Sequence, residues 1–188
     1  MSQQALARFV TDAATWRGES EKYESSFGSR QELVELNAGD MPAISSYLCG
    51  LSVEGRRRRF HAGVDDHSIR TFCSAVRPEA FGAVAQTVRG VIVGLAELHA
   101  DPTGLRCEIA LSSSGEEPAR MGDLLGAALA LARRRGARWV EYVWFPGEDW
   151  APAAFRALGG RLDHPARRIS LDLTRNDPEP RRPSAVRR

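Results

Sequence analysis

Two spacings of apolar residues alternate along the chain. Runs in which apolar and polar positions alternate, or which are short and mostly apolar, predict strands. These runs cover residues 31–38, 81–88, 90–100, 105–113, 137–145 and 167–173. Apolar residues three or four positions apart predict helices instead. The helical stretches cover residues 41–51, 53–63, 65–76, 121–135 and 150–158.

Turn and cap residues support this division. Arg89-Gly90 is a hairpin signal, and the Asp-Pro-Thr-Gly turn at 101–104 leads into the third strand of the same meander. Asp40 is placed to cap the first helix, and Gly136 to end the helix over 121–135. The order of strands and helices predicts a mixed α/β sheet layered with helices.

The two ends of the chain differ from its middle. Residues 1–30 are polar and mixed, which is typical of an arm outside the core. Residues 175–188 are rich in Pro and Arg with little to bury, which predicts disorder. We therefore predict one domain over residues 31–174.

The composition is typical of a soluble globular protein, with 43% apolar and 27% charged residues in a chain of 188. The net charge of +2 is too small to indicate nucleic-acid binding. The three cysteines are widely spaced, show no metal-binding pattern and fit reduced thiols. No apolar run approaches the roughly 18 residues of a membrane helix. The N-terminus also lacks the apolar core of a secretory signal. These features predict a cytoplasmic protein with no membrane contact and no metal site.

Four stretches of the predicted domain follow one another in a family-specific order. They are VELNAGDMPAISSYLCGLSVEGRRRRF, GVIVGLAEL followed by LRCEIALSS, MGDLLGAALALARRRGARWVEYVW, and AAFRALGGRL. Together they resemble the GNAT acyltransferase superfamily, and most of all bacterial protein-lysine acetyltransferase-like domains. The resemblance implies a GNAT-like mixed, largely antiparallel central sheet flanked by helices. It also implies acetyl-CoA as cofactor and an amine as acceptor.

The resemblance implies a cofactor site at the start of the 121–135 helix. There the pyrophosphate binds backbone N–H groups, which a helix start leaves unpaired. The implied residues are Arg120, Met121, Gly122 and Asp123. Of the family pattern Gln/Arg-x-x-Gly-x-Gly/Ala only the last Gly is present. Glu116 and Glu117 add negative charge, and Pro118 removes a donor. We therefore expect a site in the right place whose sequence weakens acetyl-CoA binding.

Acetyl transfer to an amine needs a base, because a lysine ammonium has a reference pKa of about 10.4. The resemblance assigns this role to Glu108, which shares a strand face with Arg106 and Ala110. Glu97, two residues from His99, is the second candidate. For both glutamates the alternative is a surface carboxylate paired with a cross-strand Arg such as Arg106.

The resemblance assigns further parts of the site to the backbone and to one aromatic position. The amides of Ile109, Ala110 and Leu111 are implied to pair with the pantetheine arm. The tyrosine that returns a proton to the leaving thiolate falls on Phe155, which has no hydroxyl, and Tyr142 is a distant substitute. The run Arg56–Arg59 is suited to an acidic substrate or partner, or to solvent.

Two hypotheses of function follow. The first is an N-acetyltransferase that moves an acetyl group from acetyl-CoA to a protein lysine or a small amine, and it rests on the family order and Glu108. The alternative is a catalytically degenerate GNAT-like domain acting as a regulatory or partner-binding protein. It rests on the altered cofactor loop and Phe155. A homodimer or a protein partner stays open under either hypothesis.

Overall fold

The strands form a single sheet, and helices cover both of its faces. The computed structural model describes residues 22–24, 30–114 and 118–174. The strands are β1 Lys22–Glu24, β2 Arg30–Leu36, β3 Phe81–Val88, β4 Val91–Ala100, β5 Arg106–Ser113, β6 Trp139–Val143, β7 Arg161–Asp163 and β8 Arg168–Asp172. The helices are α1 Met41–Cys49, α2 Val53–Phe60, α3 Asp66–Ala75, α4 Pro118–Arg134 and α5 Trp150–Ala157. The strands lie side by side in the order β1-β2-β3-β4-β5-β6-β8-β7.

The differences from the sequence prediction are at element ends and in the shortest strands. β1 and β7 were not predicted, because three residues are too few to show a period. β1 lies within the predicted arm and pairs antiparallel with β2. The helix predicted from Met121 begins at Pro118. The rest of the predicted arm, Glu116, Glu117 and the predicted disordered tail lie outside the described residues.

The predicted cap of α1 is wrong: the capping side chain is Asn37, before the preceding 3-10 turn. Asp40 precedes the helix but makes no side-chain cap bond to it. Instead Asn37 Oδ1 accepts from the Gly39 amide at 2.7 Å, and the Asp40 carboxylate accepts from the Asn37 amide at 2.9 Å. These reciprocal bonds form a capping box on the short 3-10 turn Ala38–Asp40, which then leads into α1.

One pair of neighbouring strands departs from the antiparallel pattern. β5 and β6 are parallel, and their pairing ends at Ile109 opposite Tyr142. β5 nevertheless continues to Ser113, paired on its other side with β4 as far as Gly94. A gap therefore opens between residues 110–113 of β5 and the chain that follows Val143. We call this gap the strand split.

Helices cover both faces of the sheet with separate apolar clusters. On one face α1 and α3 pack on β3 and β4 through Ile44, Leu48, Ile69, Cys73, Phe81, Ala83, Ala85 and Leu95. On the other face α4 and α5 pack on β3 to β6 and β8, through residues that include Leu124, Leu125, Leu129, Phe155, Ala96, Ile109, Val140 and Ile169. The predicted mixed sheet with flanking helices is confirmed. Within the described residues, no helix is long and apolar enough to cross a membrane.

Two glycines allow other groups to approach the backbone closely. A Cβ at Gly82 would lie 2.7 Å from the guanidinium carbon of Arg135, whose Nη1 donates to the Phe81 carbonyl. This contact fastens the end of α4 to the start of β3. A Cβ at Gly160 would lie 2.8 Å from the Phe155 carbonyl oxygen and 3.2 Å from Ile169 Cγ2. The second contact fixes the turn from α5 into β7.

We predict that Gly160→Ala destabilises the protein, because the added methyl group would clash with the Phe155 carbonyl oxygen, which the backbone of α5 holds in place. Overpacking of this kind costs about 1–3 kcal/mol, which corresponds to roughly 2–4 °C of melting temperature per kcal/mol in a chain of this size. Gly63→Ala is the matched control, since a Cβ there meets nothing within 4 Å. Thermal unfolding followed by circular dichroism measures both variants. Equal melting temperatures for the two would show that the turn at Gly160 is not tightly packed.

Candidate active site

A buried ion pair lies on the α1–α3 side of the sheet, beside the strand split. Glu97 extends from β4 opposite Ala110, the first residue of β5 beyond its pairing with β6. Its side chain is 0% exposed, and Arg59 of α2 donates from Nε to Oε2 at 2.5 Å. The guanidinium also lies 4.7 Å from the ring centroid of Phe60 and 5.5 Å from that of Phe72. The pair therefore holds the end of α2 against the sheet at the split.

The environment of Glu97 stabilises its charged form. Burial is the largest effect and opposes ionisation, but the charge and the hydrogen bond of Arg59, together with the nearby His99 ring, outweigh it. The result is a pKa of about 2. His99 Nε2 lies 3.7 Å from Glu97 Oε1 on the same face of β4, as predicted from their spacing. Glu97 thus binds a proton only in strong acid.

This geometry disfavours Glu97 as the base. A general base needs access to the acceptor and a pKa near the working pH, and the Glu97 carboxylate has neither. The predicted alternative for Glu97, a surface pair with Arg106, is also wrong. Arg106 instead lies 3.6 Å from the Glu141 carboxylate. We infer that Glu97 positions α2.

Glu108 lies on the same face as Glu97 but in different surroundings. Its side chain is exposed, and it lies opposite His99 of β4 and Glu141 of β6. Glu141 is held by Arg106 and by Arg168, whose Nη1 is 2.9 Å from Oε2. No ion pair to Glu108 is found among residues 30–114 and 118–174. Its carboxylate is therefore open to an incoming cation two residues from the split.

The backbone of β5 directs alternate amides into the split. The Ser114 amide donates to the Val93 carbonyl at 2.9 Å. By the alternation of an antiparallel ladder, Ser112 and Ala110 then also bond to β4. Ile109 and Leu111 point their amides the other way, and Leu111 lies beyond the last paired residue of β6. Of the three amides predicted to meet the pantetheine arm, that of Leu111 is best placed, whereas that of Ala110 is already bonded to β4.

The start of α4 changes which amides are left free. A helix leaves its first amides without intrahelical partners. Because α4 begins at Pro118, which has no N–H, these are the amides of Ala119 and Arg120. Met121, Gly122 and Asp123 lie inside the helix, and Met121 is buried. Arg120 therefore remains the best-placed residue of the set expected to bind the pyrophosphate.

An aromatic stack and a carboxylate lie just below the split on the α4–α5 side. Phe155 of α5 is fully buried and stacks on Tyr142, with ring centroids 5.4 Å apart and planes within 15°. The Tyr142 hydroxyl donates to Glu148 Oε2 at 2.8 Å, and the Phe145 amide donates to the same oxygen at 3.1 Å. Burial raises the pKa of Glu148, and the hydrogen bonds from Phe145 and Tyr142 partly offset this.

The arginine run divides by position on α2. Arg59 is buried in its pair with Glu97, and Arg56 binds Asp66 at 2.7 Å and the carbonyls of Cys49, Leu51 and Val64. Arg58 bonds Glu54 on the exposed side. Two of the four arginines thus serve the packing of α2, so the run as a whole is not a surface for an acidic partner.

Sequence analysis did not predict two features of the site, the partner of Glu97 and the position of Glu148. The partner of Glu97 is 38 positions earlier in the chain, and a run of four arginines gives no sign which one is buried. Glu148 lies in a loop with no periodic pattern. Its position three residues after the end of the predicted strand at Phe145 was the available signal. Both depend on how α2 and the 144–149 loop meet at the split, where the rings of His61 and Phe145 lie 6.2 Å apart.

Comparison with solved structures identifies the fold. The GNAT domain of S. lividans PAT superposes with a TM-score of 0.61 at 17% identity, over 81% of this chain and 96% of that chain. The protein yncA from Salmonella typhimurium, solved with its cofactor acetyl-CoA, gives 0.55 at 15% identity over 82% and 98%. The cAMP-binding acyltransferase from Mycobacterium smegmatis gives 0.54 at 15%, and this chain spans 50% of it.

The fold is therefore that of the GNAT acetyltransferases, and the predicted fold class is confirmed. No protein-family model matches the sequence, and no curated protein matches it. At these identities the likeness is one of fold, so the chemistry has to be argued from the residues described above.

We predict that Glu97 makes the protein sensitive to acid. Its pKa in the folded state, about 2, lies below the 4.5 of a free glutamate, so its contribution is complete above pH 4.5 and is lost as the pH falls towards 2. This difference corresponds to roughly 3 kcal/mol. Denaturant unfolding at a series of pH values should show a smaller loss in this window for Glu97→Gln than for the wild type.

Glu97→Gln should also lower stability at neutral pH, because Arg59 keeps its charge in a buried place without its partner. Breaking a buried pair in this way costs about 3–5 kcal/mol. Glu54→Gln is the control, since its bond to Arg58 is exposed and is expected to contribute little. If Glu97→Gln and Glu54→Gln unfold alike at every pH, the ion pair does not anchor α2.

Proposed function

We propose that this protein is an acetyl-CoA-dependent N-acetyltransferase whose acceptor is an amine of a protein lysine or a small molecule. The strand split carries this proposal, because it combines three features that acyl transfer needs. Leu111 offers an amide beyond the last paired residue, α4 begins with free amides, and Glu108 presents an open carboxylate. The same fold holds acetyl-CoA in yncA.

The cofactor would lie across the split from the start of α4 to the end of β5. The amides of Ala119 and Arg120, together with the helix dipole, favour the pyrophosphate. The pantetheine arm would pair with the β5 edge through the Leu111 amide, beyond the point where β6 stops pairing with β5. Arg120 and Leu111 are thus the two residues of the predicted set on which cofactor binding most depends.

Glu108 would prepare the acceptor for reaction. An ammonium cannot attack a carbonyl carbon until it has lost a proton, and the exposed carboxylate can accept that proton directly or through one water. The freed amine then forms the C–N bond to the acetyl carbon, the C–S bond breaks with its electron pair left on sulfur, and the second proton of the nitrogen passes through water to the departing thiolate. Glu97 takes no part in this step beyond fixing α2 beside it.

One observation supports the alternative function, a GNAT-like domain without catalytic activity. Phe155 is fully buried and has no hydroxyl at the position where the resemblance places a proton donor. A domain that kept the fold but lost the chemistry would serve as a regulatory or partner-binding protein instead. Binding of acetyl-CoA without acetyl transfer to any amine, or no binding at all, would favour that reading.

We predict that the residues before α4 weaken cofactor binding by their charge. Glu116 and Glu117 immediately precede the helix start, where each negative charge near a bound pyrophosphate is unfavourable by about 0.3–1 kcal/mol. Replacing both with Gln should tighten acetyl-CoA binding several-fold at low salt, and the gain should shrink at high salt. Calorimetric titration with acetyl-CoA measures the effect.

Arg120→Ala should weaken the same binding by a similar or larger factor, since it removes the positive charge of a residue in the first turn of α4. Arg138→Ala is the control: it removes an exposed arginine from beyond the other end of α4. If wild type binds tightly and neither change matters, the phosphates lie elsewhere. If none of the proteins binds acetyl-CoA, the enzyme proposal fails.

We also predict that Glu108→Gln lowers acetyl transfer by roughly 10²–10⁴-fold, the usual contribution of a general base. Gln keeps the shape of the side chain but cannot accept the proton. The assay follows radiolabelled acetyl-CoA with a panel of lysine peptides and small amines. Glu141→Gln, on the neighbouring strand, is the control and should keep most activity. A fully active Glu108→Gln would rule out this base.

A further inference from the structure

A cavity that the mechanism above does not use lies under the end of α3. Its volume is about 210 Å³, it is partly open to solvent, and its wall is mostly apolar. The lining residues that matter here are Phe72, Ala75, Val76, Arg77, Phe81 and His99. We call it the α3 cavity. Since an apolar cavity of about 150 Å³ already holds a benzene molecule, the α3 cavity has room for one ring or one branched alkyl group.

His99 places the α3 cavity beside the proposed base. On the sheet it is opposite Glu108 of β5 on one side and Phe81 of β3 on the other. Its ring centroid lies 5.7 Å from that of Phe72 and 5.4 Å from that of Phe81, and Nε2 lies 3.7 Å from Glu97 Oε1. The His99 wall is therefore held on three sides. Because neighbouring strands are about 4.7–4.9 Å apart, a molecule in the cavity can place a group against the Glu108 carboxylate.

Arg77 supplies a positive charge at the other side of the α3 cavity. It is exposed and lies in the link from α3 to β3, whereas Glu108 lies on the β5 side. Within residues 30–114 and 118–174 no carboxylate forms an ion pair with Arg77. Glu79, two residues further on, lines a separate cavity that includes Ala132 of α4. The α3 cavity is thus an apolar wall between a free carboxylate and a free guanidinium.

We propose that the α3 cavity holds the body of the acceptor, an inference that rests on the proposed function. The acceptor is then a small molecule with three parts: an amine for Glu108, a ring or branched alkyl group for the cavity, and a carboxylate for Arg77. Glu108 takes the proton of the ammonium as described above. Arg77 determines specificity and takes no part in the chemistry.

The charge at Arg77 favours this acceptor over a lysine of a protein. A lysine side chain is long enough to lie in the same groove. Its far end, however, is an uncharged peptide backbone, which gives the Arg77 guanidinium no anion to bind. An acceptor with its own carboxylate matches the charge at both sides of the α3 cavity.

The test compares two amines that differ only in the anion. The probe para-(aminomethyl)benzoate carries all three parts, and para-methylbenzylamine has a methyl group in place of the carboxylate. Initial rates of acetyl transfer by the whole protein at saturating acetyl-CoA give KM and kcat for each. Wild type should show a KM about two- to fivefold lower for the carboxylate, the size of an exposed ion pair. The kcat values should be similar, because the anion is bound equally before and during the reaction.

Two variants address the two parts of the site. Arg77→Gln should abolish the difference in KM by raising only the value for the carboxylate. Ala75→Phe fills the mouth of the α3 cavity from an exposed position at the end of α3. It should raise KM for both amines at least tenfold, since a ring-sized apolar group can then no longer be buried.

Each variant has a matched control. Arg70→Gln removes another exposed arginine of α3, which is paired with Asp66. Ala43→Phe adds the same ring to an exposed alanine of α1. Neither should change KM for either amine. Circular dichroism confirms that all four variants are folded, and if Ala75→Phe is not, the effect of Arg77→Gln on the carboxylate alone decides.

The possible results separate the two proposals. The predicted changes in KM with both controls unchanged support the α3 cavity as the acceptor site. Equal KM values that neither Arg77→Gln nor Ala75→Phe alters, or acetyl transfer to lysine peptides only, overturn it and leave the enzyme proposal standing. An effect of Ala75→Phe without one of Arg77→Gln overturns the carboxylate. If wild type binds no acetyl-CoA or acetylates no amine, both proposals are overturned together.

Discussion

The buried ion pair between Arg59 and Glu97 is the constraint on which the site depends. Removing two charges from water costs several kcal/mol for each ion, and only close, well-bonded geometry recovers it. Here Arg59 is 2.5 Å from the carboxylate and lies over the rings of Phe60 and Phe72. Such a pair tolerates little displacement. It therefore fixes the end of α2 against β4 and β5, beside the point where the sheet opens.

Three carboxylates near this opening owe their different states to their surroundings. Glu97 is kept ionised by Arg59, Glu108 is open to solvent, and Glu148 is pushed towards the protonated form by burial. One amino-acid type thus occupies three different electrostatic environments near the same opening. The environment of each follows from the element that carries it and from what packs above it.

The sequence predicted the fold better than the site. The short, mostly apolar run over 81–88 and the helical spacing over 121–135 depend on local physics, and both elements were predicted to within a few residues. β1 and β7 are too short to show a period, and α4 starts earlier because Pro118 suits a first turn. The strand position of Glu108 was also predictable. The burial of Glu97 was not, since it depends on a side chain 38 positions away.

The contact of Arg135 with Gly82 shows how far a small residue can tie distant parts of the chain together. The guanidinium occupies the space that a side chain at position 82 would fill, and it bonds the neighbouring carbonyl of Phe81. Arg135 is long and flexible, so its guanidinium can swing away from a Cβ at position 82, but only by giving up its bond to the Phe81 carbonyl. A larger residue at 82 is therefore expected to loosen the join between the end of α4 and the start of β3.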